Sequence, residues 1–72
     1  MAYSEYDVVK VTALNPEVPE AEIGDTGTVL LVYEYRDSQR AYEVECVLPD
    51  ATNKWLSAFE SNQLQLVCKY LN

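Results

Sequence analysis

The chain has 72 residues, 49% of them apolar, and twelve acidic against five basic side chains leave a net charge of −7. That length admits one domain, residues 1–72, near the lower limit for closing a core unaided, and the six Tyr, one Trp and one Phe argue against a disordered chain. A field of this sign disfavours nucleic-acid backbones and anionic membranes as partners.

The apolar residues come in short runs rich in Val, Leu and Tyr, separated by polar, Gly and Pro breaks, which is the rhythm of strands. Residues 7–12 (DVVKVT) predict the first, with Val9 and Val11 on one face and Lys10 and Thr12 on the other. Val8 breaks that alternation and is expected against the chain's end. Residues 13–23 hold Pro16 and Pro19, and the second proline would break the hydrogen-bond ladder of any helix begun at the first. A long acidic loop is expected there, pinned to the fold by Val18 and Ile23.

Gly24-Asp25-Thr26-Gly27 reads as a tight turn in which the glycines can take positive φ. It launches the longest predicted strand, residues 28–35 (TVLLVYEY), apolar on both faces from Val29 to Tyr33. Such a run needs either a bend that changes which face turns inward, or cover from another chain. Residues 36–40 form a polar hairpin loop, and residues 41–48 alternate with Tyr42, Val44, Cys46 and Leu48 on the core face. After a turn over 49–53, a short strand is predicted over 54–59, then a 3-10 turn over 61–64 and a last strand over 65–70. The expected fold is all-β: a small five-stranded SH3-like barrel with a long acidic loop after strand 1 and a 3-10 turn before the last strand. A small OB-type barrel is the alternative, but it needs a helix between its middle strands.

YDVVKV, GDTGTVLLVY, YEVECV and NQLQLV, in this order and at these spacings, resemble a bacterial family known as domain of unknown function four thousand nine hundred and twenty-six. The resemblance runs over residues 6–67 and implies a small SH3-like β-barrel, with no activity, cofactor or catalytic residue to carry over. The chain departs from the family in its proline-rich loop 15–22, in Cys46 where an aromatic is expected, and around Lys54 and Trp55. The turn and strand over residues 24–32 are also similar to the KOW element of ribosomal and transcription proteins, whose domains meet RNA or polymerase through basic loops. Here the corresponding loop is acidic.

The chain has no histidine, and neither Cys46 nor Cys68 stands in a basic cluster that would activate it. No catalytic residue is assigned, and both thiols are expected to stay free and to pack as small hydrophobes. Glu43 and Glu45 fall on the outward face of one strand and read as solvated carboxylates rather than an acid–base pair. Glu17, Glu20, Glu22 and Asp25 match no calcium-loop spacing, and the glycine turn lacks the Lys-Ser or Lys-Thr of a phosphate loop, so no metal or cofactor is expected. The N-terminal residues lack the basic and apolar regions of a secretion signal, and a cytoplasmic location is expected.

What remains is surface. No basic residue falls between Lys10 and Arg36, while five acidic ones do, so a basic protein surface is the natural complement. Most rings are needed for the core of so small a barrel; the candidate contact residues are Leu31, Tyr33, Tyr35 and Trp55, with Glu17, Glu20 and Glu22 steering association. The expected function is a non-enzymatic interaction module that binds a basic protein or itself. Alternatives are an immunity or inhibitor-type protein that neutralises a basic toxin or nucleic-acid enzyme, and a KOW-like factor contacting RNA or polymerase.

Overall fold

The computed structural model describes residues 2–71. Five antiparallel strands, β1 (Val8–Val11), β2 (Thr26–Glu34), β3 (Arg40–Val47), β4 (Asn53–Glu60) and β5 (Leu64–Cys68), form one sheet in the order β4-β3-β2-β1-β5. A 3-10 turn, Ser61–Gln63, joins β4 to β5. Every expected strand is present, with ends shifted by a residue or two, as terminal hydrogen bonds rather than side-chain pattern set them.

The sheet is not closed into a barrel, which corrects the closure expected above. Closure requires the two edge strands to pair, but the 3-10 turn carries β5 across to β1, where Val11 faces Leu64 and Val9 faces Leu66. β4 therefore keeps a free edge. The acidic loop partly covers it, with Asn15 Nδ2 donating to the carbonyl of Ala58 at 3.1 Å.

The bend within β2 answers the question of its two apolar faces. Thr28 pairs with Glu45 and Val29 with Val44, but Leu31 pairs with Glu43, so Leu30 is an extra residue that shifts the register. Before this bulge Gly27 and Val29 turn inward; beyond it Leu31 and Tyr33 turn outward and are exposed. Gly27 does not take positive φ. It lacks a side chain because a Cβ there would lie 2.6 Å from the carbonyl oxygen of Glu45 and 2.7 Å from Val44 Cγ1. Gly24 alone of the two takes positive φ, +98°, at the turn into β2.

Val9, Val11, Val29, Tyr42, Val44 and Phe59 are almost wholly inaccessible and form the centre of the core. Tyr3 closes one end of it: the ring meets Tyr42 edge-on at 5.1 Å and its hydroxyl donates to the Leu64 carbonyl at 2.9 Å. Burial, and then the neighbouring Tyr42, pushes the Tyr3 hydroxyl above its ordinary pKa. Leu48, expected on the core face, lies past the end of β3 and is exposed. The loop between β1 and β2 is a chain of tight turns anchored by Val18 and Ala21; Ile23, expected as an anchor, is exposed. Cys46 is buried, Cys68 is exposed rather than packed, and both are free.

Candidate functional site

The inner faces of β2, β3 and β4 supply the core, so strand alternation places the other residues on an outer face. The register lays Leu31, Glu43 and Ala58 across the three strands in one row, Tyr33, Ala41 and Glu60 in the next, and Thr28, Glu45 and Leu56 in a third. Leu31 and Leu56 are each 48% exposed, and Tyr33 is 38% exposed. Glu43 on the middle strand is thus flanked by Leu31 and Ala58, and Glu45 by Thr28 and Leu56. The Tyr33 hydroxyl donates to Glu43 Oε1 at 2.9 Å, which fixes the ring against the carboxylate. That hydrogen bond, together with partial burial and the Glu43 charge, raises the Tyr33 hydroxyl pKa.

No cation on these three strands faces the carboxylate row. Arg40 is held by Glu34 at 3.1 Å, and Lys54 is turned to the loop, where it contacts Glu22 and reaches Asp25 Oδ2 at 3.0 Å. Lys69 is occupied by Asp7. Among the described residues, Glu17, Glu20, Glu43 and Glu45 make no ion pair, and neither do the cations Lys10 and Arg36.

Tyr35 lies just beyond β2 and is more than half exposed. It lines a groove of about 390 Å³ together with Glu17, Ala41, Ala58 and Glu60, at the end of the outer face. The structure thus brings Leu31 and Tyr33 together on the sheet and Tyr35 together with Glu17 in the groove. Glu20 stands exposed on the loop, and Glu22 is engaged with Lys54.

Trp55 does not belong to this surface, which corrects its assignment as a contact residue. It is 4% exposed, packs against Phe59 at 5.0 Å, and points through β4 to the core, opposite Cys46. Its indole Nε1 donates to Asp25 Oδ2 at 2.9 Å. Asp25 also accepts from the Glu22 N–H and from Lys54. Burial pushes the Asp25 carboxyl up, but the Glu22 N–H, the Trp55 indole and Lys54 together outweigh it and hold the group below its ordinary pKa. Leu56, one residue on, takes the outward position that the sequence reading gave to Trp55.

Among the described residues Asp7 is the one fully buried carboxylate, and nothing in the sequence marks it beyond its place at the head of the first strand. It accepts from the Tyr70 N–H at 2.9 Å, the Ser4 N–H at 2.9 Å and Lys69 Nζ at 3.1 Å. The ring of Tyr6, at φ +74°, meets Tyr70 edge-on beside it. All these partners are local ties between the two ends of the fold, so the group is structural. The Cys46 thiol is raised by burial and then by the Asp25 charge, which disfavours its thiolate.

A wider recess of about 480 Å³ lies between the β2–β3 turn and the 3-10 turn. It is lined by both Arg40 and Glu60 and so has no preferred sign of charge. Among the described residues, no three His, Cys, Asp or Glu side chains come together as a metal-binding group. Set against known proteins, the chain matches no family model, no curated protein and no solved structure.

Proposed function

We propose that the chain is a non-enzymatic interaction module, an open SH3-like arrangement of five strands, that binds a protein of basic surface through the outer face of β2, β3 and β4. The observation that carries this reading is the row Leu31–Glu43–Ala58 with its Tyr33–Glu43 hydrogen bond: exposed apolar side chains framing carboxylates that no cation satisfies. Lysine and arginine side chains match such a surface, because their stems cover apolar area while their heads meet the acids. Self-association through this face is disfavoured where it would set Glu43 and Glu45 against their own kind. The resemblance to the domain-of-unknown-function family is part of the same proposal and contributes a fold, not a chemistry.

A second reading, an inhibitor of a basic toxin or nucleic-acid enzyme, is favoured by the spacing of the half-buried Glu43 and Glu45 two positions apart on the outward side of one strand, where they stand in for successive anionic groups. One experiment serves both. The tagged protein is used to capture partners from nuclease-treated host lysate at low and high salt, in parallel with Leu31→Ser and Glu43→Lys variants. Recovery of one basic protein that elutes with salt and is lost from both variants supports the module, and loss of that protein's activity on binding selects the inhibitor. Recovery of nothing, or equal recovery by both variants, would falsify the proposal.

A further inference from the structure

The groove at the end of the outer face continues the sheet surface through Ala41, Ala58 and Glu60 and adds the loop residues to it. Ala58 gives it apolar contact, Tyr35 and Pro16 stand over it, Asn15, Ser57 and Gln63 add polar groups, and its charged lining residues, Glu17 and Glu60, are both acidic. Its volume of about 390 Å³ falls within the range of clefts that hold ligand-sized groups.

The walls are fastened before any ligand arrives. Asn15 donates through Nδ2 to the Ala58 carbonyl at 3.1 Å and accepts at Oδ1 from the Glu17 N–H at 3.0 Å, which ties the loop to β4. Gln63 accepts at Oε1 from the Glu60 N–H at 2.9 Å and donates through Nε2 to the Leu14 carbonyl, while the Glu60 carboxylate caps the Gln63 N–H in return. Tyr35 is held through its backbone by Gln39 and Ser38, and its hydroxyl makes no bond within the chain among the described residues. A groove fixed in this way loses little freedom when it is filled.

We propose that this groove takes an arginine or lysine side chain carried by an extended segment of a basic partner protein. The stem of such a side chain covers Ala41 and Ala58, its cation lies between Glu17 and Glu60, and its head stacks on Tyr35. An acidic segment sets like charges together, and an apolar one strips water from two carboxylates without replacing it. The inference rests on the reading of the chain as a binding module for basic proteins and narrows it: the sheet face supplies contact area, and the groove selects the residue.

The test uses capped pentapeptides of alanine with a central Arg, Lys, Glu or Leu, titrated to millimolar concentration into the isotope-labelled protein and followed by amide chemical shifts. The Arg and Lys peptides are expected to move Ala41, Ala58, Glu60 and Gln63, less so as salt is raised, while the Glu and Leu peptides leave them in place. Tyr35→Leu, which keeps an apolar side chain without the ring, is expected to weaken Arg binding about threefold, and Glu17→Gln to weaken Arg and Lys alike. Absence of groove shifts, equal response to the Glu peptide, or full binding by the Tyr35→Leu, Glu17→Gln double variant overturns the groove. Shifts by the Arg peptide confined to Leu31, Tyr33 and Glu43 also overturn it, but leave the interaction module standing, because that reading depends on the sheet face.

Discussion

Trp55 and Asp25 are joined by a 2.9 Å hydrogen bond from the indole to the carboxylate, and this contact locks the edge strand to the turn that starts β2. The same carboxylate receives Lys54 and the Glu22 N–H, so the loop, the turn and β4 share one anchor. Trp55→Phe keeps most of the packing and removes the donor; it is expected to lower stability by about 1.5 kcal/mol in urea unfolding. Trp55→Ala adds a cavity and is expected to cost about 4 kcal/mol. A Trp55→Ala protein that binds partners normally and is fully stable would contradict the assignment of this ring to the core.

Asp7 makes acid stability specific. The Tyr70 N–H lowers its pKa most, burial works in the opposite direction, and the Ser4 N–H and Lys69 lower it further, leaving it below its ordinary 3.8. A carboxyl depressed in the folded state contributes stability that is complete above the unfolded value and is lost as the pH falls through the folded one. Stability is therefore expected to decline from just above pH 3.8 downward, and Asp7→Asn is expected to flatten that decline while lowering stability at neutral pH by about 2 kcal/mol. Urea midpoints measured from neutral to acid pH read both effects; an unchanged acid slope in the variant would remove Asp7 from the account.

Gly27→Ala tests the close approach of β2 to β3. The added methyl meets backbone at 2.6 Å and the Val44 side chain at 2.7 Å, and the backbone oxygen of Glu45 has no rotamer by which to withdraw. A loss of about 2 kcal/mol is expected, typical of overpacking in a core. Gly24→Ala meets no atom within 4 Å and pays only for its positive φ, so it is expected to cost about 1 kcal/mol. Reversal of that order in thermal unfolding would mean that the bend is set elsewhere.

Ala51 sits at φ +71° in the turn between β3 and β4, a left-handed conformation that costs a residue with a Cβ about 1 kcal/mol. Its N–H donates to the Leu48 carbonyl at 2.8 Å, so the turn is fixed by the backbone and not by the side chain. Ala51→Gly is expected to raise stability by about 0.5 kcal/mol after the entropy of the more flexible unfolded chain is counted. A lower melting temperature for the variant would count against this.

The strands were legible because period-two alternation survives wherever one face is buried and the other wet, as in Tyr42, Val44 and Cys46 of β3. Closure was not legible, since it depends on where a three-residue 3-10 turn sends β5, and no side-chain pattern records that direction. The contact residues divide along the same line. Leu31 and Tyr33 could be placed outward only once the bulge at Leu30 was known, and alternation alone leaves both faces of β2 equivalent. Trp55 was misplaced because the pairing of Cys46 with Trp55, fixed by a register shift next to Val47, decides that the indole and not Leu56 turns inward. Asp7 carried no signal, as Lys69 and Tyr70, which hold it together with the nearby Ser4 N–H, lie more than sixty residues away.

The pairing of β1 with β5 also has a consequence for synthesis on the ribosome. The meander β2–β3–β4 joins neighbours through short turns and can assemble while the chain is still being made, but β1 gains its second hydrogen-bonded neighbour only when residues 64–68 emerge. Until then Val9 and Val11 lack the cover of Leu64, and Asp7 waits for the backbone of Tyr70. A nascent chain arrested before Leu64 lacks this β1–β5 pairing and is expected to be cut by protease at β1 while its meander resists.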